Sequence, residues 1–153
     1  MDFIEVEVFG VPLRYYDDER IEKISRGKWK PMKQSNCYGY KLIRIKNGKK
    51  VQVHRVVYKA NNLSWNVEDT SKNNLIDHID TCRSNNKISN LQVATAQQNA
   101  FNTNAKGFCF HKATNKYRAR IKLDGKSIHL GCFDTEAEAR NTYLKAKAIY
   151  HKF

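Results

Sequence analysis

The sequence predicts an α+β protein assembled from short antiparallel strands and a few helices. Three observations predict it. Apolar and polar residues alternate in short runs around Asn47-Gly48 and Asp124-Gly125, dipeptides that close two-residue hairpins. Helical spacing of apolar residues is confined to brief segments, the longest at 134–150. The composition, 41% hydrophobic and 28% charged, has the balance of a folded domain rather than a disordered one.

Taken in order, residues 3–9 alternate as a strand, with Ile4, Val6 and Val8 on one face and Glu5 and Glu7 on the other. The basic stretch after Asp17, which contains Gly27 and Pro31, reads as a loop or turn region. From Tyr38 a hairpin is expected, turning at Asn47-Gly48, and a short helix follows over residues 54–60. Leu75 and Ile76 start a strand that delivers Asp77 and His78. A polar loop follows over 80–90, then a returning strand with Leu91, Val93 and Ala94, and a helix capped by Thr95 that carries Gln98 and Asn99. After a polar linker at 102–106, three strands and a helix are expected. Asp134 is expected at the helix cap, with Ala139, Tyr143, Ala146 and Tyr150 on one face.

The net charge of +13 favours a polyanionic partner, and nucleic acid is the first candidate. Residues 1–50 carry 12 basic and 7 acidic side chains, 51–104 carry 5 and 4, and 105–153 carry 11 and 4. The basic excess therefore flanks a nearly neutral middle. No segment reaches the roughly 18 to 20 apolar residues of a membrane span, and the N-terminus lacks a signal-peptide layout. The expected location is the cytoplasm. Cys37, Cys82, Cys109 and Cys132 are dispersed with no C-x-x-C pair, so structural zinc is not expected and free thiols are.

Residues 77–99 read D-H-I-D-T-C-R-S-N-N-K-I-S-N-L-Q-V-A-T-A-Q-Q-N. Asp77 offers a hard oxygen to a divalent cation, His78 a titratable nitrogen beside it, and Asn90 and Asn99 amide oxygens further on. This run resembles the HNH motif, closest to phage homing endonucleases, and the V-H-R-V-V stretch upstream extends the likeness. The resemblance implies a ββα-metal nuclease core. In it Asp77 and Asn99 hold one Mg²⁺ or Mn²⁺, His78 is the general base, and Asn90 orients the His78 region. Because neighbours on a strand point to opposite faces, a distortion is expected where Asp77 meets His78. His54 reads as a packed, hydrogen-bonded structural residue, Asp80, Asn85 and Asn86 as turn residues, and Arg55 as a phosphate contact or a solvated side chain.

Residues 105–153 contain Y-R-A-R-I and L-G-C-F-D-T-E-A-E-A. These resemble the AP2 DNA-binding domain, with Tyr117 and His129 standing where plant members tend to have Trp. On the strand at 117–123, Arg118, Arg120 and Lys122 alternate with apolar residues, and His111 and His129 are expected on the same outward side. Double-stranded DNA is the expected partner of that face.

The organisation expected is thus 1–50 as an N-terminal β-rich region, 51–104 as the HNH core and 105–153 as the AP2-like domain. The function expected is that of a homing-type endonuclease of phage origin, acting in a bacterial host. The alternative is a DNA-binding regulator with a vestigial nuclease motif. The oligomeric state is open: a monomer with one site nicks or cuts in sequence, whereas a dimer permits a staggered double break.

Overall fold

A computed structural model of the chain describes residues 2–151. It is a mixed α+β fold of several small antiparallel sheets and few helices. The chain divides into two compact units, residues 1–94 and 95–153.

The first unit opens with a four-stranded meander: β1 (Phe3–Val8), β2 (Val11–Tyr16), β3 (Ile21–Ser25) and β4 (Lys28–Pro31). The expected alternation holds in β1, where Val6 and Val8 are buried and Glu5 and Glu7 exposed. The stretch around Gly27 departs from expectation. It is a hairpin rather than a loop, because Arg26 (φ 53°) and Gly27 (φ +75°) both enter the left-handed region and fold β4 back on β3. A second meander follows, β5 (Ser35–Cys37), β6 (Tyr40–Arg44) and β7 (Lys50–Gln52). Asn47-Gly48 turns between its last two strands as expected, within a short 3-10 turn. Tyr38-Gly39 is itself a turn, so that hairpin begins only at Tyr40.

Helix α1 (Val53–Asn61) follows directly and buries Val53, Val56, Val57 and Ala60 against Val8, Leu13, Ile21 and Ile43 of the meanders. Then β8 (Leu75–His78) pairs antiparallel with β9 (Leu91–Ala94), and Ile76 and Leu91 join the same core. The loop between α1 and β8 is fixed by Arg55. Its guanidinium donates to the carbonyls of Asn74 (3.1 Å), Val67 (2.7 Å) and Asp69 (2.8 Å), and it lies 4.8 Å over the Trp65 ring.

The second unit begins with α2 (Ala96–Phe101). Thr95 caps it through a reciprocal pair of bonds with Gln98. The sheet β10 (Phe108–His111), β11 (Lys116–Leu123) and β12 (Lys126–Phe133) follows, and α3 (Glu136–Tyr150) packs on it. The cap of α3 is Thr135, not Asp134. The Thr135 hydroxyl accepts from the Glu138 backbone, and the Glu138 side chain reaches back to the Thr135 amide. Asp134 instead pairs with Lys116 at 3.1 Å. Ala139, Tyr143 and Ala146 are buried as expected, whereas Tyr150 at the last turn is exposed.

Gly107 is required where it stands. Its φ is +76°, and an added Cβ would fall 2.0 Å from Tyr143 Cγ. Gly107→Ala is therefore expected to destabilise the second unit by about 2 kcal/mol or more. Hydrogen exchange of β11 amides reads this change, and protection equal to wild type would refute the packing of Tyr143 on Gly107.

Candidate functional site

The β8–β9 ladder decides where the motif residues lie. Asp77 pairs with Gln92 and His78 with Leu91, with no shift of register, and the Ile79 amide continues the pairing to the Asn90 carbonyl at 2.9 Å. The distortion expected between Asp77 and His78 is therefore absent. A regular strand sends the two side chains to opposite faces, and both are buried, at 5% and 4% exposure. On one face the Asp77 carboxylate accepts from Gln92 Nε2 at 3.3 Å.

On the other face His78 enters a pocket drawn from three separate elements. His54 of α1 stands edge-on to it, with ring centroids 4.9 Å apart and planes at 90°. The Tyr40 ring of β6 lies 5.9 Å from His78 and 5.4 Å from His54. Asn86 of the loop places Oδ1 3.2 Å from His78 Nε2 and is only 1% exposed. The turn reading of Asn86 is thus corrected: it is a buried partner of the imidazole. No periodicity marks such a contact, and the only sequence signal was an Asn inside the motif loop.

His54 is packed, as expected for a structural residue, but it is not fully hydrogen-bonded: its Nδ1 is buried with no partner. Burial, then the neighbouring charges of His78 and Arg55, push its pKa down to about 3, so the ring is neutral.

Asn90 works on the loop. Its Oδ1 accepts from the Asp80 amide (3.0 Å), and its Nδ2 donates to Asp80 Oδ1 (2.9 Å) and the Asn85 carbonyl (2.8 Å). Asp80 also accepts from the Cys82 amide and the Asn85 side chain, a turn-residue role that matches its sequence reading. Those bonds, Asn85 first, then Cys82 and Asn90, hold the Asp80 pKa below its ordinary value.

The remaining residues divide between the two units. Asn99 is exposed on α2 of the second unit, whereas Asp77, His78 and Asn90 are buried in the first. Arg55 is neither solvated nor turned to a phosphate: it is buried and its guanidinium is occupied by three carbonyls. Among the described residues no three His, Cys, Asp or Glu side chains form a metal-binding group. The donors of the motif are hard oxygens, one carboxylate and amide groups. Such a set fits a cation like Mg²⁺, which takes one or two protein ligands and keeps its waters.

In the second unit, register puts Cys109 opposite Arg118 and His111 opposite Lys116 on β10–β11. On β11–β12 it puts Arg120 opposite His129 and Lys122 opposite Ser127. His111, Arg118, Arg120, Lys122 and His129 therefore share one sheet face, while Ala119 and Ile121 are buried on the other. An irregularity beside Ala119 and Arg120 keeps His129 on that face. Arg118, Arg120, Ser127, His129 and Cys132 line a surface cavity of about 440 Å³. All four cysteines are free and exposed, and no helix among the described residues is long and apolar enough to cross a membrane.

A pH dependence follows from His54. Its folded pKa lies below the unfolded value near 6.5, so the stability it confers is present above that value and is lost as pH falls toward 3. The free energy of unfolding should fall by up to about 1.4 kcal/mol per pH unit across this window. Urea denaturation from pH 7 to pH 4 measures it. The same slope in His54→Phe would refute the assignment to His54.

Comparison with known proteins shows a likeness to a viral protein. The chain is 31% identical over 136 residues to an uncharacterized HNH endonuclease of Acanthamoeba polyphaga mimivirus, a match covering 85% of this chain and 66% of the relative. The chain thus spans just under two thirds of that protein's length. No family model matches, and no solved structure matches. The likeness supports an HNH nuclease, and the aligned length includes most of both units.

Proposed function

We propose that this chain is a metal-dependent, site-specific DNA endonuclease of homing type. The observation that carries the reading is the buried imidazole of His78 at the end of β8, walled by Tyr40, His54 and Asn86. The likeness to a viral HNH endonuclease supports it. In this reading β8, the loop, β9 and the following α2 are the ββα-metal unit. The three strands and α3 are an AP2-like DNA-binding module.

His78 takes the proton from the water that attacks the phosphodiester. An imidazole suits this because it titrates near working pH. Its ring is held in place by Asn86 Oδ1, 3.2 Å from Nε2. Asp77 and Asn99 are the residues that would hold Mg²⁺ or Mn²⁺ through their side-chain oxygens. When bound, the cation stabilises the charge developing on the leaving 3′-oxygen. In this reading the phosphate would lie at the end of β8, where the loop begins. Asn90 keeps that end shaped by tying Asp80 to Asn85. Arg118, Arg120, Lys122, His111 and His129 meet DNA on the open sheet face. Arg suits guanine edges there, and the cations meet phosphates in a salt-dependent way.

The test is cleavage of supercoiled plasmid with Mg²⁺ or Mn²⁺, against an EDTA control. Wild type should nick or linearise the plasmid only with the cation. His78→Ala should lower the rate by a factor of about 10² to 10⁴ and leave DNA binding in EDTA within about twofold, a gel-shift measurement. Cleavage by that variant at the wild-type rate would remove His78 from the chemistry. DNA binding by wild type with no cleavage under either cation would favour a regulator with a vestigial site.

A further inference from the structure

We propose that Tyr38 is a base-stacking residue, an exposed ring on the β5–β6 turn that packs on a nucleobase of the DNA beside the phosphate served by His78. This rests on the endonuclease reading above. Tyr38 is 88% exposed, the highest value among the exposed large hydrophobic side chains described. Its backbone is also in the left-handed region, at φ 50°. A bulky residue adopts that conformation at a cost, whereas Asn, Asp and Gly adopt it readily.

Other turns in the chain show what the alternative looks like. Asn47 and Asp124 occupy the same kind of position before a glycine with short polar side chains that suit it. Phe9, at φ 52°, is as bulky as Tyr38, but its ring packs against the core of the first unit and lies under the Lys49 ammonium. Tyr38 combines the backbone cost with a ring left in water. Its open ring is what a partner's base would cover.

The turn is also tied to the candidate site. Arg83, from the loop between Asp80 and Asn90, donates from Nη1 to the Tyr38 carbonyl at 3.1 Å. Its guanidinium lies 5.0 Å over the Tyr40 ring, and Tyr40 in turn packs against His78. One exposed cation therefore braces the turn and faces solvent beside it, where a phosphate can meet it. An aromatic face beside an exposed guanidinium, on a chain of net charge +13, fits a nucleic acid better than an apolar protein surface. Stacking tolerates any base, so Tyr38 adds grip and positioning near the scissile bond without demanding a sequence of its own.

The test uses the full chain and a labelled duplex that wild type cleaves, with binding measured by anisotropy in EDTA. Tyr38→Asn should raise Tm, because it relieves the left-handed strain, and weaken DNA binding by about 5- to 100-fold. Tyr38→Phe and Tyr38→Trp should bind within about twofold of wild type. Wild-type affinity in Tyr38→Asn, which a protein-binding role for the ring would give, overturns the proposal. So does loss of affinity in Tyr38→Phe, since that would assign the contact to the hydroxyl. These outcomes leave the endonuclease reading intact. Absence of DNA binding by wild type itself overturns that reading and this one together.

Discussion

A two-stranded ladder is marginal on its own in water, and the candidate site is built on one. Everything else in the first unit follows from the need to support β8 and β9. Ile76 and Leu91 turn one side of the ladder into the core that α1 and the two meanders share. Support of this kind fixes the strand end in space, and Asp77 and His78 are fixed with it. The meanders contribute little chemistry of their own to this site, apart from Tyr40. Their apolar rows, Val6 and Val8 on β1, Leu13 on β2 and Ile43 on β6, give α1 a surface to bury against. A site placed on a rigid scaffold in this way keeps its geometry without needing a large protein around it.

The second constraint is the cost of burying polar groups. His54, Arg55, Asn74, Asp77, His78, Asn86 and Asn90 are all buried in this small unit. Most of them are answered within it. Arg55 and Asn74 stitch the loop after α1 through backbone carbonyls, and Asn90 closes the motif loop on Asp80 and Asn85. Exceptions gather at the imidazoles. His54 Nδ1 and Asn86 Nδ2 are buried without partners, and both belong to side chains that touch His78. Folds seldom leave such groups unanswered, and both of these lie at the end of β8.

Much of this was legible in the sequence because it is local. Asn47-Gly48 and Asp124-Gly125 close turns through backbone preference alone, and the alternation of Val6 and Val8 with Glu5 and Glu7 reports a half-buried strand directly. The order strand, loop, strand, helix over 75–101 followed from apolar spacing and the Thr95 cap. The hairpin at Arg26-Gly27 was missed because its strands are mostly polar and its first turn residue is one that rarely takes positive φ. Thr135 as the cap was within reach, since T-x-x-E spells a capping box. Asn86 on His78, and Arg55 on three carbonyls, were out of reach. Each joins residues by tertiary packing that leaves no period in the chain, and a buried arginine looks in sequence like an exposed one.

The distribution of work between the buried and the open surfaces has a physical reason. A proton-transfer site gains from a fixed, partly dry environment, in which a single imidazole keeps one orientation. A surface that grips a polyanion gains from the reverse, exposed cations whose attraction reaches through solvent before contact. In the proposed reading the two demands fall to different kinds of strand. The β8 strand is short, buried and flanked by one carboxylate and several carboxamides. The β11 strand is longer and buries only one face, leaving Arg118, Arg120 and Lys122 on the other. In that reading, arginines on β8 would repel a cation held at Asp77. The nearly neutral middle of the sequence suits that reading, and the basic flanks would supply the attraction for a polyanion.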